Sequence, residues 1–263
     1  MRMPELPDVE VFRRYLRKRA MRRRVDDVAV RGQRVHQASA STLRRRLCGR
    51  RIASSRRHGK LLFVGLDDSA GALVLHFGMT GFLRWYTDDR DEPEHAKLVL
   101  SLDDGHKLAY DNQRTFGRVD LADDPDAYVA ERGLGPDALS LDEAEFVERL
   151  YAHEGGIKAT LMNQKVVAGI GNIYSDEILF HARVHPQTRV EDLSRATLRR
   201  LYRTTERVLE RAIDAHVDVR RMPRTWLLPH REQGARCPRC RAKLQRKTIA
   251  GRASWLCPRC QKL

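Results

Sequence analysis

Apolar residues recur at helical spacing near the start of the chain, where Val9, Phe12 and Leu16 share one face of a segment from about 7 to 22. Pro7 suits the first turn of that helix because its missing N–H would have no partner there in any case. The arginines from Arg13 to Arg24 crowd the end where the helix dipole favours cations. The pattern then shortens. Runs at 25–31, 51–56, 60–66, 72–77, 82–86, 97–102 and 107–110, separated by turn-forming clusters, predict strands of a β-sandwich or barrel-like sheet. Arg132-Gly133-Leu134-Gly135-Pro136 reads as a linker. Beyond it the spacing turns helical at 141–152, 159–164, 172–182 and 193–215, the last of these studded with Arg and Glu. No internal repeat interrupts this order. It predicts a β-rich domain over 1–134, a helical domain over 135–228 and a small C-terminal module over 229–263.

Charge adds a partner to this picture. Lys and Arg number 50 against 35 for Asp and Glu, a formal net charge of +15, which favours a polyanion. With 41% apolar residues and many acids, the chain reads as a folded protein with a basic face and not as a basic tail. No apolar run reaches the 18 residues needed to cross a bilayer, and no secretory leader is visible, so a soluble cytoplasmic protein is expected.

Cysteine spacing identifies the last module. Cys237-Pro238-Arg239-Cys240 and Cys257-Pro258-Arg259-Cys260 are two C-x2-C pairs separated by sixteen residues, the spacing of a four-thiolate Zn2+ site. Two disulfides would require an oxidising compartment that nothing else supports. A zinc ion closed off by four sulfurs has no position for water, so its role is structural. From Cys237 to Leu263 the chain holds eight basic residues and no acid, as a phosphate-facing finger requires.

Two further stretches carry chemistry. Pro4 follows Met3, and removal of that methionine would expose a secondary amine. An α-amino group titrates at roughly 7.7–8.0 against about 10.4 for lysine, so a usable fraction is neutral at pH 7 and nucleophilic. With Met1-Arg2 retained, Pro4 is an ordinary internal imide. Pro followed by Glu5 and Asp8 is also what a plain helix start looks like. Farther on, Gly169-Ile170-Gly171-Asn172 joins two predicted helices, and the amides opening the second helix could hold a phosphate, with Asn172 as an added donor. A simple tight turn fits the same residues.

Several motifs in one order make the chain resemble the formamidopyrimidine-DNA glycosylase and endonuclease VIII family of DNA repair glycosylases over essentially its whole length. They are Pro4-Glu5-Leu6-Pro7, Arg57-His58-Gly59-Lys60, His76-Phe77-Gly78-Met79-Thr80-Gly81, Gln113-Arg114-Thr115-Phe116-Gly117, Leu134-Gly135-Pro136, the segment from Lys158 to Tyr174, and a ribbon with Arg252 five residues before Cys257. Lys158 and the Glu-Leu-Pro after Pro4 favour the formamidopyrimidine branch. The resemblance implies an α+β multidomain fold: a β-sandwich with an N-terminal helix, a helix-two-turn-helix domain and a zinc ribbon, with DNA bound between the first two.

By the same resemblance, Pro4 attacks C1′ of a damaged nucleotide, Glu5 acts as acid or base at the sugar, and Lys60 lies near the reacting nucleotide. Met79, Arg114 and Phe116 fill the space left by the everted base, although Met79 and Phe116 would otherwise read as core residues. Asn172 and Arg252 grip phosphates, and Lys158 lies by the lesion pocket. The expected partner is double-stranded DNA with damaged bases or abasic sites, bound by a monomer with one structural zinc and no small-molecule cofactor. One stretch departs from the family pattern. Residues 217–236 are short and lack the Ser-Asp-Gly and Gly-Tyr-Phe elements of the loop that caps 8-oxoguanine, which sets oxidised pyrimidines or ring-saturated lesions against oxidised purines as substrates. Two other function classes remain: a silent lesion-binding protein if Met1-Arg2 is retained, and a zinc-ribbon nucleic-acid module unrelated to repair.

Overall fold

The computed structural model describes residues 3–32, 34–68 and 71–263. Met1 and Arg2, on which the state of Pro4 depends, lie outside the described residues. The chain forms two compact units, one of Asp8–Gly133 with the residues up to Pro4, the other of Glu5–Pro7 with Leu134–Leu263.

The first unit is built on two four-stranded antiparallel sheets. Strands β1 (Val25–Val30), β6 (Ala96–Leu102), β7 (Lys107–Asp111) and β5 (Phe82–Tyr86) pair in that spatial order, and β2 (Ile52–His58), β3 (Leu61–Leu66), β4 (Ala72–His76) and β8 (Arg118–Ala122) form the other sheet. Alternate residues of both sheets, among them Leu62, Val64, Leu73, Leu75, Leu98, Leu100, Leu108 and Tyr110, fill one core. Val9, Leu16 and Ala20 of helix α1 (Leu6–Ala20) join that core. The expected β-sandwich is therefore present.

Three elements of this unit escape the sequence pattern. Strand β8 follows directly on the Phe116-Gly117 turn, and its Arg-Val-Asp-Leu-Ala run is too polar to stand out. It is held by pairing along the whole of β4, from Ala72↔Ala122 to His76↔Arg118. Helix α2 (Ala40–Leu47) offers only Leu43 and Leu47 to the core beside three arginines, and its start is fixed by the Ser39 hydroxyl accepting from Thr42 N at 3.1 Å. Helix α3 (Pro125–Glu131) sets Tyr128 edge-on against Phe63, with ring centroids 5.8 Å apart, which covers the outer face of β3.

The second unit packs α4 (Glu143–Tyr151), α5 (Ile157–Met162), α6 (Asn172–Ala182) and α7 (Arg195–Asp214) about Phe146, Leu150, Ile157, Leu161, Ile178, Leu198, Leu201 and Leu209. Helix α7 starts two residues later than its apolar spacing suggests, because Ser194 caps it by accepting from Thr197 N at 3.2 Å. Helix α5 starts two residues early, with buried Ile157 as its first residue. At the C-terminus β9 (Gln245–Ile249) and β10 (Arg252–Leu256) form an antiparallel hairpin over a small cluster of Phe180, Leu227, Leu244 and Trp255. Among the described residues no helix is long and apolar enough to cross a membrane.

Candidate active site

The glycine-rich turn before α6 does bind an anion, but the anion belongs to the chain itself. Glu5 is fully buried, and its carboxylate accepts hydrogen bonds from the backbone N–H groups of Gly171 at 2.8 Å, Ile173 at 2.8 Å and Tyr174 at 3.2 Å. These are the orphan amides of a helix N-terminus, where the dipole also favours negative charge. The turn is shaped for this contact. Gly169 has φ +116°, Leu6 N donates to its carbonyl at 3.0 Å, and a Cβ on Gly171 would collide with the Glu5 carboxyl. The expectation that these amides receive a phosphate is corrected accordingly: Glu5 occupies them.

Asn172, Lys158 and Arg252 gather around the same helix end. Asn172 Nδ2 donates to the carbonyl of Ala253 at 3.0 Å, which ties the first residue of α6 to the hairpin strand carrying Arg252. The Arg252 side chain is exposed on that strand. Lys158 departs from expectation. Its side chain has no solvent exposure, and its Nζ donates to Asp176 and, at 2.5 Å, to Ser254 Oγ. Burial pulls the Lys158 ammonium below the usual lysine range, and the Asp176 carboxylate opposes that shift. Lys158 is therefore an internal tie and not a surface contact for DNA in this structure.

Asp176 is the hub of this network. Its Oδ2 also accepts from Arg231 Nη1 at 2.5 Å and from Trp255 N at 2.9 Å. The neighbouring Glu177 accepts from Leu227 N at 2.9 Å and Leu228 N at 2.7 Å, so the short stretch before the ribbon is fastened to α6 by two adjacent carboxylates. Sequence reasoning missed both acids and Arg231. The available signal was Asp176-Glu177 set inside the largely apolar run from Ile173 to Phe180, since acids that deep require partners. Asp176→Ala would leave the buried Lys158 and the partly buried Arg231 without their counter-charge, and the expected cost is about 3–5 kcal/mol. Thermal unfolding measures it, and a loss below about 1 kcal/mol would contradict the hub role.

Within the first unit Pro4 is buried, and Lys60 stands half-buried in the tight turn between β2 and β3. Gly59 makes that turn possible with φ +54°. Lys60 and Arg118 add their positive charge to the effect of burial on His76, whose imidazole is pushed down to about 4 and stays neutral at physiological pH. Met79 is half-buried on the turn after β4, and Arg114 and Phe116 lie on the turn after β7. Phe116 is 60% exposed, the sort of apolar tip that needs a partner, and the Arg114 guanidinium sits 5.4 Å from its ring centre. The structure brings these three side chains onto adjoining turns, with Arg114 N donating to Thr80 Oγ1 at 3.1 Å.

The four ribbon sulfurs converge. All lie within 4.8 Å of one another, with Cys237 and Cys260 at 3.9 Å and Cys240 and Cys257 at 3.4 Å, and none is in a disulfide. Tetrahedral Zn2+ with Zn–S bonds of about 2.3 Å sets sulfurs roughly 3.8 Å apart. The cluster fits a structural zinc.

Comparison with known proteins agrees along the chain. Residues 3–119 match the formamidopyrimidine-DNA glycosylase N-terminal domain, residues 133–222 match the formamidopyrimidine-DNA glycosylase H2TH domain, and residues 234–263 match a zinc finger found in FPG and IleRS. The formamidopyrimidine-DNA glycosylase of Streptococcus thermophilus is 34% identical over 99% of this chain and 100% of its own length. That of Heliobacterium modesticaldum is 36% identical with the same coverage. The chain belongs to the formamidopyrimidine-DNA glycosylase family. Among solved structures, the Lactococcus lactis formamidopyrimidine-DNA glycosylase bound to DNA containing an abasic site superposes with a TM-score of 0.89 at 30% identity, over 98% of this chain and 100% of that one. The wild-type L. lactis protein with DNA containing an N7-benzyl-Fapy-dG gives the same TM-score and identity over 99% and 100%. Formamidopyrimidine-DNA glycosylases are DNA glycosylases and abasic-site lyases, and the zinc-finger match spans the four-sulfur cluster.

Proposed function

We propose that this formamidopyrimidine-DNA glycosylase family member excises oxidised bases from duplex DNA through Pro4 and then cuts the strand by β,δ-elimination. One observation carries the reading: the residue directly after Pro4 has its carboxylate fixed by three backbone amides, so the candidate acid–base group is immobile beside the candidate nucleophile. The Pro4 nitrogen gives its lone pair to C1′. The glycosidic bond breaks with its electrons going to the base, which leaves carrying the proton that the secondary amine gives up. The sugar ring then opens at O4′, which takes a proton with Glu5 as the acid–base partner, and a C1′ iminium remains.

That iminium draws electrons from the C2′–H bond. Loss of the C2′ proton expels the 3′ phosphate, a second elimination expels the 5′ phosphate, and a one-nucleotide gap results. Lys60 supplies positive charge near the reacting sugar. Met79, Arg114 and Phe116 occupy the hole left by the everted nucleotide, as apolar wedge, partner for the orphaned base and stacking ring. Arg252 and the remaining N–H of Asn172 hold phosphates, and Lys158 acts at one remove by holding Asp176 and Ser254.

Solved relatives carry DNA with a Fapy-dG or an abasic site. The short 217–236 stretch, fastened by Glu177 and Asp176, supports a substrate range that extends to oxidised pyrimidines. The test is a panel of duplexes, each with one defined lesion. The expected product is a gap flanked by phosphates on both sides. Tight binding with no scission of any duplex, abasic sites included, would favour the silent binder instead.

A further inference from the structure

The Met79 turn and the Arg114–Phe116 turn are both crossovers between the two sheets. Chain leaves β4 in one sheet and enters β5 in the other through residues 77–81, and it leaves β7 and returns to β8 through residues 112–117. Because β4 pairs with β8 up to His76↔Arg118, and β5 pairs with β7 up to Phe82↔Asp111, the two crossovers run side by side. Neither belongs to a ladder, so the backbone pairing that holds the strands stops at both ends of this gap.

Side chains take over there. Asn112, which has no solvent exposure, donates from Nδ2 to the carbonyl of Phe77 at 3.1 Å and to Tyr110 Oη at 2.8 Å. Tyr110 Oη in turn donates to the carbonyl of His76 at 2.8 Å, and Thr80 Oγ1 accepts from Arg114 N. Three glycines let the turns close on each other. A Cβ on Gly78 would collide with the backbone of Phe116 and Gly117, one on Gly81 with Phe77 O and Asn112 Nδ2, and one on Gly117 with the Tyr110 hydroxyl and Asn112 Nδ2. Thr115, a β-branched residue, is held at φ +53°, a backbone state such residues avoid unless their surroundings enforce it.

We infer that Asn112 is a positioning residue: it locks the two crossovers into one body, so that Met79, Arg114 and Phe116 enter a duplex together and not in turn. The proposal rests on the void-filling reading of those three side chains. A rigid three-point wedge needs no ordering when it meets DNA, whereas two independent loops would each lose conformational freedom on insertion.

Single-turnover cleavage separates the possibilities, with the fastest-cleaved duplex of the lesion panel and a single-stranded abasic oligonucleotide as the two substrates. A single strand has no stack to open, so it needs no wedge. Asn112→Ala is expected to slow the duplex reaction by about 10- to 100-fold while changing the single-strand reaction less than about twofold. The core control Val64→Ala lowers stability and leaves the ratio of the two rates alone. If Asn112→Ala folds poorly, Thr80→Val removes one strut of the same brace and shows the same signature at smaller size. In the otherwise native protein Met79→Ala and Phe116→Ala are expected to be non-additive, and with Asn112→Ala they become additive. Equal slowing of both substrates, or additivity in both backgrounds, overturns the brace. Should Met79→Ala and Phe116→Ala themselves fail to distinguish duplex from single strand, the void-filling reading falls and this inference with it.

Discussion

Borohydride added to the protein on abasic-site DNA is expected to give a covalent adduct from chains that begin at Pro4 and none from chains that keep Met1-Arg2. The difference follows from one bond. An internal proline nitrogen is part of an amide, its lone pair delocalised into the carbonyl, whereas a terminal proline nitrogen is a secondary amine with a reference pKa near 8, roughly a tenth neutral at pH 7. Condensed with the C1′ aldehyde it gives a cationic iminium that has no N–H to lose. The iminium keeps its charge until it is hydrolysed, reduced or relieved by elimination. Hydride reduces it to a stable tertiary amine.

The loss on retaining Met1-Arg2 is expected to be roughly three orders of magnitude or more, since removal of a covalent nucleophile is rarely compensated. Intact mass identifies the species present, and the adduct should carry the mass of protein starting at Pro4. Equal trapping of both species would place the nucleophile elsewhere in the chain. Equal binding by both without any adduct from the Pro4 species would end the enzyme reading and leave a lesion-binding protein.

How much of this could be read in advance divides along physical lines. The sandwich strands were legible because most are short apolar runs bounded by turn-forming residues, such as Leu61–Leu66 and Ala72–His76, and the ribbon because zinc coordination imposes a spacing that survives any change of neighbours. Strand β8 and helix α2 were not. Arg118-Val119-Asp120-Leu121-Ala122 is a strand because β4 lies beside it, and Ala40–Leu47 is a helix because Ser39 caps it and two leucines find a core. Lys158 shows the same limit at the site. The family resemblance puts Lys158 by the lesion pocket, and only the fold shows Asp176, eighteen residues later, and Ser254 enclosing it. The anion at the α6 N-terminus was foreseen in kind. Its source, Glu5, lies 166 residues from Gly171, and no local pattern announces such a pairing.

Chelation of zinc is expected to abolish tight binding to lesion DNA, by about 100-fold or more, while the first unit keeps its sandwich. A two-stranded hairpin has little independent stability, and the apolar cluster beneath β9 and β10 is a handful of side chains. Four thiolates closing on one ion supply what that cluster lacks, on the order of 10 kcal/mol of apparent binding free energy in comparable zinc modules. Once the ribbon opens, Arg252 loses its place, Asn172 Nδ2 loses the Ala253 carbonyl, and Lys158 and Asp176 lose Ser254 Oγ and Trp255 N. The damage therefore travels from the metal to the helix end that holds Glu5. Trp255, nearly buried in the folded ribbon, reports the change by its fluorescence. Cys257→Ser should reproduce the loss, and adding Zn2+ back should restore the unsubstituted protein alone. Full binding with chelator present and Trp255 still shielded would show that the ribbon stands without its metal.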